Sequence, residues 1–309
     1  MILAVTGGTG FVGGHLLDRA VAEGHQVRAL ARRAQPPRAG VTWIEGALDR
    51  PAGLAALVEG ADAVLHVAGV VNAPDRAEFA AGNVEGTRAM LAVAQSAGVR
   101  RFVHVSSLAA REPALSDYGW SKAEAEKLVA ASPLAWTIVR PPAVFGPRDG
   151  EMLDLFRLAR RRVVPLPPAG GRASVLYAPE LARLLLALAA PDAALHATLE
   201  PDDGAPEGWD HRDLARAIGA SVGARVLPLP LPGPLLGAVS AIDVALRGAK
   251  AKLTADRVRY FRHPDWVSHA PPPPGLWTSR TPTPAALGET AAWYRAQGLL
   301  PPAPRQRRI

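Results

Sequence analysis

The sequence contains no cysteine among its 309 residues. Disulfides, thiol nucleophiles, iron–sulfur clusters and cysteine zinc sites are therefore excluded. Its eight histidines are scattered and form no HxxxH or HExxH pair, so we predict no metal site. A hydrophobic content of 49% and a charged content of 20% are typical of a globular protein and exclude a disordered or fibrous chain.

Long apolar runs are also rare. Residues 1–6 are apolar, but the run is short and lacks a basic start, so it does not predict a secretory signal. Residues 226–247 form the one long apolar run, and it contains Asp243 and four prolines between residues 228 and 234. We therefore predict a cytoplasmic protein without stable membrane insertion. The run could line a pocket or contact a partner or a membrane, and the sequence leaves these alternatives open.

Lysine is scarce, with four lysines against 31 arginines, although the formal net charge is +7. The basic residues are spread along the chain except for clusters at residues 160–162 and 305–308. No stripe of interleaved aromatic and basic residues is found, so we predict no nucleic acid partner. The positive charge fits either a solvated surface or attraction to an anionic ligand.

The first two hundred residues alternate short apolar runs with helical patterns. The runs typical of strands lie at residues 2–5, 26–31, 41–44, 63–67, 101–105, 136–139 and 174–177. The helical patterns lie near residues 12–23, 52–58, 82–97, 119–131, 152–161 and 179–189. Such alternation predicts βαβ units, and therefore an α/β fold with a Rossmann-type doubly wound parallel sheet.

After about residue 200 the pattern changes, because proline becomes dense and strand alternation fades. Helices are expected at residues 211–221, 234–246, 254–261 and 284–297. We therefore predict a Rossmann-type domain over residues 1–199 and a smaller, mostly helical, substrate-binding region over residues 200–309. Some of residues 145–172 are expected to join the substrate site.

A glycine-rich motif, Thr6-Gly7-Gly8-Thr9-Gly10-Phe11-Val12-Gly13, lies between the first expected strand and the first expected helix. Glycine allows a turn with positive φ and lets the backbone approach a pyrophosphate, which the helix N-terminus attracts. The spacing alone is weak evidence, but this placement predicts a dinucleotide site. The alternative is a strand–helix turn that binds nothing.

The second expected strand ends without an acidic residue, although NAD enzymes commonly have one there to bind the ribose 2′-hydroxyl. The position 20 residues past Gly13 is Arg33, and Arg32 precedes it. Arginine suits a 2′-phosphate, because its guanidinium carries a full charge and forked donors. We predict NADP(H) as the preferred cofactor, with Arg32 as the main contact and NAD(H) as the alternative. An arginine-rich surface loop is the other interpretation.

Ser106 and Ser107 follow the fifth expected strand, and Tyr118 and Lys122 lie four residues apart, on one face of an expected helix. A lysine ammonium beside a phenol favours the phenolate, so we expect a lowered pKa for Tyr118. Such a phenol can act as a general acid/base for a carbonyl–alcohol pair, while a serine hydroxyl holds the substrate oxygen. A purely structural Tyr/Lys pair is the alternative.

Six segments follow one another in an order that indicates a family. They are residues 6–13, His66-Val67-Ala68-Gly69, Asn83, Val105-Ser106-Ser107, residues 118–122 and residues 140–147. Together they resemble the extended-type short-chain dehydrogenases/reductases of the NAD-dependent epimerase/dehydratase-like group, over about residues 1–190. The resemblance implies a Rossmann-type domain, a nicotinamide cofactor, a small substrate-binding domain, and Ser107, Tyr118 and Lys122 as catalytic residues.

The motifs and the resemblance together indicate which residues bind the cofactor. They are Gly7, Gly10, Phe11, Val12, Gly13, Arg32, Arg33, Leu48, Ala68, Ser106, Tyr118, Lys122, Pro141 and Val144. The resemblance implies that Lys122 also holds the nicotinamide ribose. It further implies that the backbone near Ala68 and residues 141–144 lines the ribose and the nicotinamide.

Three positions depart from the family pattern. Ala47 stands where an acid often contacts adenine, and Ala143 stands where many nucleotide-sugar enzymes carry an asparagine. Tyr177-Ala178-Pro179-Glu180 replaces a Val-Asp-Asp-like stretch. The last two departures disfavour a nucleotide-sugar substrate more than they disfavour the cofactor.

We therefore predict an NADP(H)-dependent oxidoreductase that transfers hydride between the cofactor and a small, apolar carbonyl or alcohol substrate. One alternative is a nucleotide-sugar epimerase or dehydratase. An alternative of another class is a non-catalytic NADP(H)-binding sensor or assembly protein, although the presence of Ser107, Tyr118 and Lys122 argues against it. The expected partner is a small-molecule substrate, and the resemblance is compatible with a homodimer.

Overall fold

The computed structural model describes residues 1–248 and 255–302. The strands in these ranges are β1 (Ile2–Thr6), β2 (Gln26–Ala31), β3 (Val41–Glu45), β4 (Ala63–His66), β5 (Arg101–Val105), β6 (Ala135–Val139), β7 (Ala143–Phe145), β8 (Val163–Leu166), β9 (Arg172–Ala173), β10 (Val175–Tyr177), β11 (Ala197–Leu199), β12 (Trp209–Asp210), β13 (Leu227–Pro230) and β14 (Asp265–Trp266). The helices are α1 (Phe11–Ala22), α2 (Pro51–Val58), α3 (Arg76–Phe79), α4 (Gly86–Ser96), α5 (Asp117–Ala130), α6 (Leu153–Arg160), α7 (Ala178–Ala187), α8 (His211–Ser221), α9 (Gly233–Arg247), α10 (Ala255–Arg262) and α11 (Thr283–Ala296). A π-helical stretch, Ala80–Glu85, joins α3 to α4, and Leu108–Arg111 form a 3₁₀ turn.

Seven parallel strands form one sheet, in the order β11-β6-β5-β4-β1-β2-β3. The strands β4 and β5 are buried along their whole length, because helices cover both faces of the sheet. The strand order reverses between β1 and β4, and ligands of such folds bind at the carboxyl ends of the strands at this switch point. The predicted α/β fold with a Rossmann-type sheet is confirmed.

One strand of this sheet is absent from the sequence prediction. Residues 174–177 do contain a strand, β10, but it pairs with β7 outside the seven-stranded sheet. The seventh position belongs to β11, which pairs with β6. This strand has three residues, and Ala194 and His196 just before it have positive φ angles of 46° and 52°. A three-residue strand after such a turn is too short to show periodicity.

The helices α2, α4 and α5 pack their apolar sides on one core cluster together with sheet residues. Its fully buried side chains include Leu54 and Leu57 from α2, Met90 from α4, Val129 from α5, and Phe102 from β5. Each such side chain stabilises the fold by about 1.5–3 kcal/mol through burial. This packing holds α5, which carries Tyr118 and Lys122, against the sheet.

The chain divides into two compact units that alternate along the sequence. The first unit comprises Met1–Pro141, Pro179–Pro201 and His269–Thr278, and the second comprises residues 142–178, 202–268 and the chain from residue 279, as far as these ranges are described. The sequence predicts a single boundary after residue 199, whereas each unit contains residues from both sides of that position. The reason is that strands within residues 142–178 pair with later ones, β8 with β13, and β9 with β12 and β14.

The second unit contains helices and several very short strands. Its core holds Phe156 from α6, Ile218 from α8, and Leu287 and Tyr294 from α11. The helices expected after residue 200 are present as α8, α9, α10 and α11, although residue 254, where one was expected to begin, lies outside the described residues. The basic cluster at residues 305–308 also lies outside them.

Within residues 1–248 and 255–302, each helix is too short or too polar to cross a membrane. In the same part of the chain, no group of three or more histidines, aspartates or glutamates is placed to hold a metal ion.

Candidate active site

The glycine-rich loop joins β1 to α1 and makes a turn that larger residues could not make. Gly7 has a φ of +73°, and a Cβ atom there would lie 2.7 Å from the Ala68 nitrogen. A Cβ atom on Gly13 would lie 2.0 Å from the Gly7 carbonyl oxygen. The Gly10 nitrogen donates to that same oxygen at 2.9 Å. The loop is therefore closed by backbone contacts and leaves no room for side chains.

The start of α1 has no side-chain cap, because its N-cap residue is Gly10. The N–H groups of the first helical residues, Phe11, Val12 and Gly13, have no acceptors within the helix. Together with the helix dipole, such groups attract a phosphate. The loop and the helix start thus fit the pyrophosphate of a dinucleotide, and they are the residues that the sequence predicts for it.

Three hydrogen-bonded side chains hold the end of β1 against β4. Thr6 Oγ1 lies 2.8 Å from His66 Nδ1, and His66 Nε2 lies 3.1 Å from Thr87 Oγ1. The Ala68 nitrogen donates to Thr6 Oγ1 at 3.1 Å. Burial, with a smaller contribution from the charge of Lys122, lowers the pKa of His66 to about 3. His66 is therefore neutral at physiological pH and acts as a fixed bridge, a role that its sequence position does not reveal.

The turn after β4 lies between the glycine-rich loop and α5. Ala68 touches the loop at Gly7, as described above. The next residue is Gly69, where a Cβ atom would lie 3.5 Å from the Lys122 Nζ atom. The adjacent residues Ala68 and Gly69 therefore connect the loop that fits the pyrophosphate with Lys122.

Asn83 holds the same turn through its amide group. Its Oδ1 accepts from the Val70 nitrogen at 2.6 Å, and its Nδ2 donates to the Val70 carbonyl at 2.9 Å. The Nδ2 also donates to Ser121 Oγ at 2.9 Å, and Ser121 Oγ donates to the Tyr118 carbonyl at 2.8 Å. Asn83 lies on the π-helical stretch, a feature that is frequent at functional sites. The amide therefore ties the turn to α5 at the level of Tyr118.

The structure brings Ser107, Tyr118 and Lys122 together within the first unit. Ser107 caps the 3₁₀ turn through its hydroxyl and is hydrogen-bonded to the hydroxyl of Tyr118. Lys122 is 4% exposed and donates from Nζ to the Val105 carbonyl at 2.8 Å. Gly119 permits this arrangement, because a Cβ atom there would lie 2.6 Å from the carbonyl oxygen of Ala109 in the 3₁₀ turn.

The pKa of Tyr118 is raised, because burial disfavours the phenolate more than the hydrogen bond with Ser107 favours it. The predicted lowering of this pKa is therefore wrong. Its expected cause, the Lys122 ammonium, points to the Val105 carbonyl instead. The phenol is protonated at neutral pH, which is the form that donates a proton.

Burial also acts on Lys122 and lowers its pKa to about 8, although the nearby carboxylate of Glu126 opposes the shift. Most of the Lys122 side chains remain cationic at pH 7. The residue can therefore hold a hydroxyl oxygen through a charge-assisted hydrogen bond.

A partly buried ion pair lies next to these residues. Glu126, one helical turn after Lys122, accepts from Arg140 at 2.6 and 2.9 Å and from the Ser106 hydroxyl at 2.5 Å. The Ser106 nitrogen donates to the Val139 carbonyl at 2.7 Å. Both donor groups of Ser106 are thus used within the protein, so its predicted contact with the cofactor would have to use an acceptor atom.

The ion pair continues to a second carboxylate. Arg140 lies 3.4 Å from Glu200, which also lies 3.3 Å from Arg111 and accepts from the His269 nitrogen at 2.8 Å. The two carboxylates raise the pKa of Arg140, chiefly through the hydrogen bonds that Arg140 donates to Glu126. Sequence reasoning missed this network, although the spacing of Tyr118, Lys122 and Glu126 places all three on one face of α5.

Arg32 and Arg33 directly follow β2, which pairs with β1, so they lie at the same edge of the sheet as the glycine-rich loop. Both are exposed, and neither forms an ion pair with a residue that the structure describes. Leu48 is half-buried and packs beside α4, where a Cβ atom on Gly86 would lie 2.6 Å from it.

The last two predicted cofactor residues lie in different units. Pro141 belongs to the first unit, and its carbonyl accepts from the Leu108 nitrogen at 3.1 Å. Val144 lies on β7 in the second unit, paired with Leu176. That both line the cofactor stays a prediction.

Comparisons of sequence agree with this geometry. A family model described as NAD(P)H-binding matches residues 7–152. The chain is 36% identical to a ceramide reductase of Caulobacter vibrioides over 312 residues, which is 97% of this chain and 96% of that protein.

Solved structures resemble the fold along nearly the whole chain. MoeE5 in complex with UDP-glucuronic acid and NAD has a TM-score of 0.72 at 22% identity, covering 96% of this chain and 99% of that chain. Human epimerase family protein SDR39U1 with NADPH has a TM-score of 0.72 at 22% identity, covering 94% of this chain and 99% of that chain. At these identities the likeness shows the fold.

The glycine-rich loop, the sheet topology and these comparisons define an NAD(P)-dependent oxidoreductase with a Rossmann-type domain. The chain belongs to the extended short-chain dehydrogenase/reductase family, in its NAD-dependent epimerase/dehydratase-like group. The family resemblance of the sequence motifs is thereby confirmed.

Proposed function

We propose that the protein is an NADP(H)-dependent reductase of a carbonyl group carried by an apolar, long-chain lipid. The observation that carries the reaction type is the cluster of Ser107, Tyr118 and Lys122, which lies beside the turn that touches the glycine-rich loop. A protonated phenol, a hydroxyl and a buried ammonium are the groups that carbonyl reduction requires.

Tyr118 donates its phenolic proton to the carbonyl oxygen of the substrate as the oxygen gains negative charge. When bound, the reduced nicotinamide supplies the hydride that the carbonyl carbon accepts, so the product is the alcohol. The Ser107 hydroxyl donates a second hydrogen bond to the same oxygen. Because burial raises the pKa of Tyr118, the proton is present on the phenol throughout the physiological pH range.

Lys122 binds the ribose next to the nicotinamide and keeps a positive charge near the phenol during proton transfer. Its hydrogen bond to the Val105 carbonyl at 2.8 Å positions the ammonium group in the absence of the ribose. The residue therefore serves both cofactor binding and turnover.

Arg32 binds the 2′-phosphate of NADP(H), with Arg33 beside it. Both arginines are exposed at the carboxyl edge of the sheet, and no carboxylate from the described residues neutralises them. A charge-assisted contact of this kind contributes roughly 1.5–3 kcal/mol, or about 10- to 150-fold in affinity.

The proposal of a lipid substrate is supported by the ceramide reductase relative, which is 36% identical along 97% of this chain. Ala143, where many nucleotide-sugar enzymes carry an asparagine, disfavours the epimerase alternative. The region after residue 200 is proposed to bind the alkyl chains.

The test is a substrate panel in which NADPH oxidation is followed with a long-chain 3-oxo amide lipid, a short-chain 3-oxo amide and UDP-glucose. We expect turnover of the long-chain ketone and a much smaller kcat/KM for the short one. Conversion of UDP-glucose without net NADPH consumption would identify an epimerase instead. Tight NADPH binding without any turnover would favour the sensor.

A further inference from the structure

An open sheet face in the second unit consists entirely of apolar residues. In the parallel pair of β8 and β13, Val163 lies opposite Leu227 and Pro165 lies opposite Leu229. Val163 is 42% exposed, Leu227 is 65% exposed and Leu229 is 46% exposed, whereas the alternate residues of β8 are buried. Since side chains alternate along a strand, these four residues share the side that faces solvent.

Further exposed apolar side chains lie on α9, which begins three residues after β13 ends. Leu235 and Leu246 on this helix are 48% and 80% exposed. The two charged residues of α9, Asp243 and Arg247, pair with each other at 3.0 Å. α10 packs on α9, and its Phe261 is 40% exposed. We call these exposed apolar side chains of β8, β13, α9 and α10 together the apolar face.

Basic residues flank the apolar face. Arg161 and Arg162 are exposed just before β8, and the Arg162 carbonyl accepts from the Leu227 nitrogen at 2.8 Å. Arg225 is exposed two residues before β13, and the Arg262 guanidinium lies against the start of α9. By sequence, residues 225–262 contain seven basic and two acidic residues, an excess of five positive charges.

We propose that the apolar face docks the protein on the surface of an anionic phospholipid bilayer. Leucines that project beside arginines are typical of interfacial membrane binding, in which apolar groups enter the acyl boundary and arginines reach the lipid phosphates. Protein–protein interfaces are instead enriched in aromatic residues, and the exposed members of this face in the described ranges include one, Phe261. The charge and the aliphatic composition together favour a lipid surface over a second copy of the chain.

This inference is independent of the proposed reaction, since it rests on surface residues of the second unit alone. If both hold, the enzyme works at the membrane in which a long-chain lipid substrate is dissolved.

The experiment is co-sedimentation of the full chain with vesicles of phosphatidylcholine, with and without phosphatidylglycerol. We expect binding that requires phosphatidylglycerol and weakens at high salt, because salt screens the arginines. The double variant Leu227→Glu/Leu229→Glu should lower vesicle partitioning by about tenfold or more, since both side chains would lose their apolar contact. Leu195→Glu is the matched control, because Leu195 is 40% exposed in the first unit, and it should bind like the wild type.

Unchanged NADPH affinity and an unchanged Tm would show that the double variant is folded. If the double variant does not fold, the milder variant Leu227→Gln/Leu229→Gln takes its place. Absence of vesicle binding by the wild type would overturn the proposal, and so would equal binding by the double variant. A wild-type dimer that the double variant dissociates, without vesicle binding, would assign the face to a second copy and would also overturn it.

Discussion

Lys122 is 4% exposed and hydrogen-bonded to the Val105 carbonyl, whereas Arg32, at the same carboxyl edge of the sheet, is exposed and has no ion pair among the described residues. The surroundings of Lys122 and Tyr118 shift the pKa values of both groups. The protein thus positions its buried polar groups before any ligand binds, while the exposed arginines are left for a ligand to position. Substitutions near Lys122 and Tyr118 should therefore alter the pKa values of these groups and the stability of the fold. A substitution of Arg32 should affect only ligand binding.

The largest expected effect comes from the Tyr118 phenol. Tyr118→Phe keeps the ring and removes the proton donor, so turnover should fall by roughly 10²–10⁴-fold. The NADPH dissociation constant, measured by titration of protein fluorescence, should stay nearly constant. Activity within about threefold of the wild type would remove Tyr118 from the proposed mechanism.

The partly buried ion pair should respond to the loss of one charge. Glu126→Gln leaves Arg140 without the carboxylate that accepts two of its hydrogen bonds, and we expect a loss of about 3 kcal/mol in the free energy of unfolding. The matched control on the same helix is Glu124→Gln, which disturbs only a surface pair with Lys127 and should cost less than about 1 kcal/mol. Equal effects of the two variants in urea unfolding would contradict this expectation.

At the exposed site, the effect should be confined to one cofactor. Arg32→Asp should weaken NADPH binding by roughly 10- to 150-fold and leave NADH binding unchanged or stronger, because the carboxylate repels a 2′-phosphate. Arg100→Asp is the control, since Arg100 is also exposed but directly precedes β5, at the opposite edge of the sheet. If the wild type binds NADH as tightly as NADPH, both arginines are ordinary surface charges.

A smaller effect should appear in the pH dependence of cofactor binding. The pKa of Lys122 is lowered to about 8, so the ammonium loses its proton as the pH rises through 8. NADPH affinity should then decrease, by at most about tenfold per pH unit. Lys122→Met should abolish this dependence, while Lys127→Met, an exposed lysine on the same helix, should retain it. An identical pH profile in all three proteins would rule out Lys122 as the titrating group.

The last effect, confined to acidic pH, concerns buried histidines and the stability of the fold. His66 and His104 stack at 5.4 Å, and burial lowers the pKa of both, that of His66 to about 3. The unfolded chain therefore binds more protons below about pH 6.5, so stability should fall as the pH falls from 6.5 toward 3. Among the described residues, neither ring nitrogen of His104 has a hydrogen-bond partner, so His104→Leu should stabilise the protein relative to the wild type. The gain should be larger at pH 5 than at pH 8, and a gain independent of pH would mean that His104 does not titrate on unfolding.

Much of the fold and part of the site follow from local sequence. The glycine-rich loop is predictable, because Gly7 and Gly13 meet within a few residues and steric exclusion acts there directly. The pairing of Tyr118 with Lys122 is predictable from helix periodicity. The alternation of apolar runs and helical patterns is enough for the Rossmann-type sheet, since a strand buried on both faces is mostly apolar.

Features that depend on residues far apart in the sequence follow only from the tertiary structure. The pKa of Tyr118 is raised although its spacing from Lys122 predicts the opposite, because desolvation comes from every atom packed around the phenol. Glu126 pairs with Arg140, 14 residues away in the sequence, and Glu200 pairs with Arg111, 89 residues away, so no local sequence pattern predicts these pairs. The short strand β11 completes the sheet because β6 offers an open edge. Leu227 is exposed on β13, which forms a sheet of only two strands with β8 among the described residues. Local sequence thus determined most of the elements and the residue types of the proposed catalytic cluster, while folding determined the charges and partners of these residues and the surface left open to solvent.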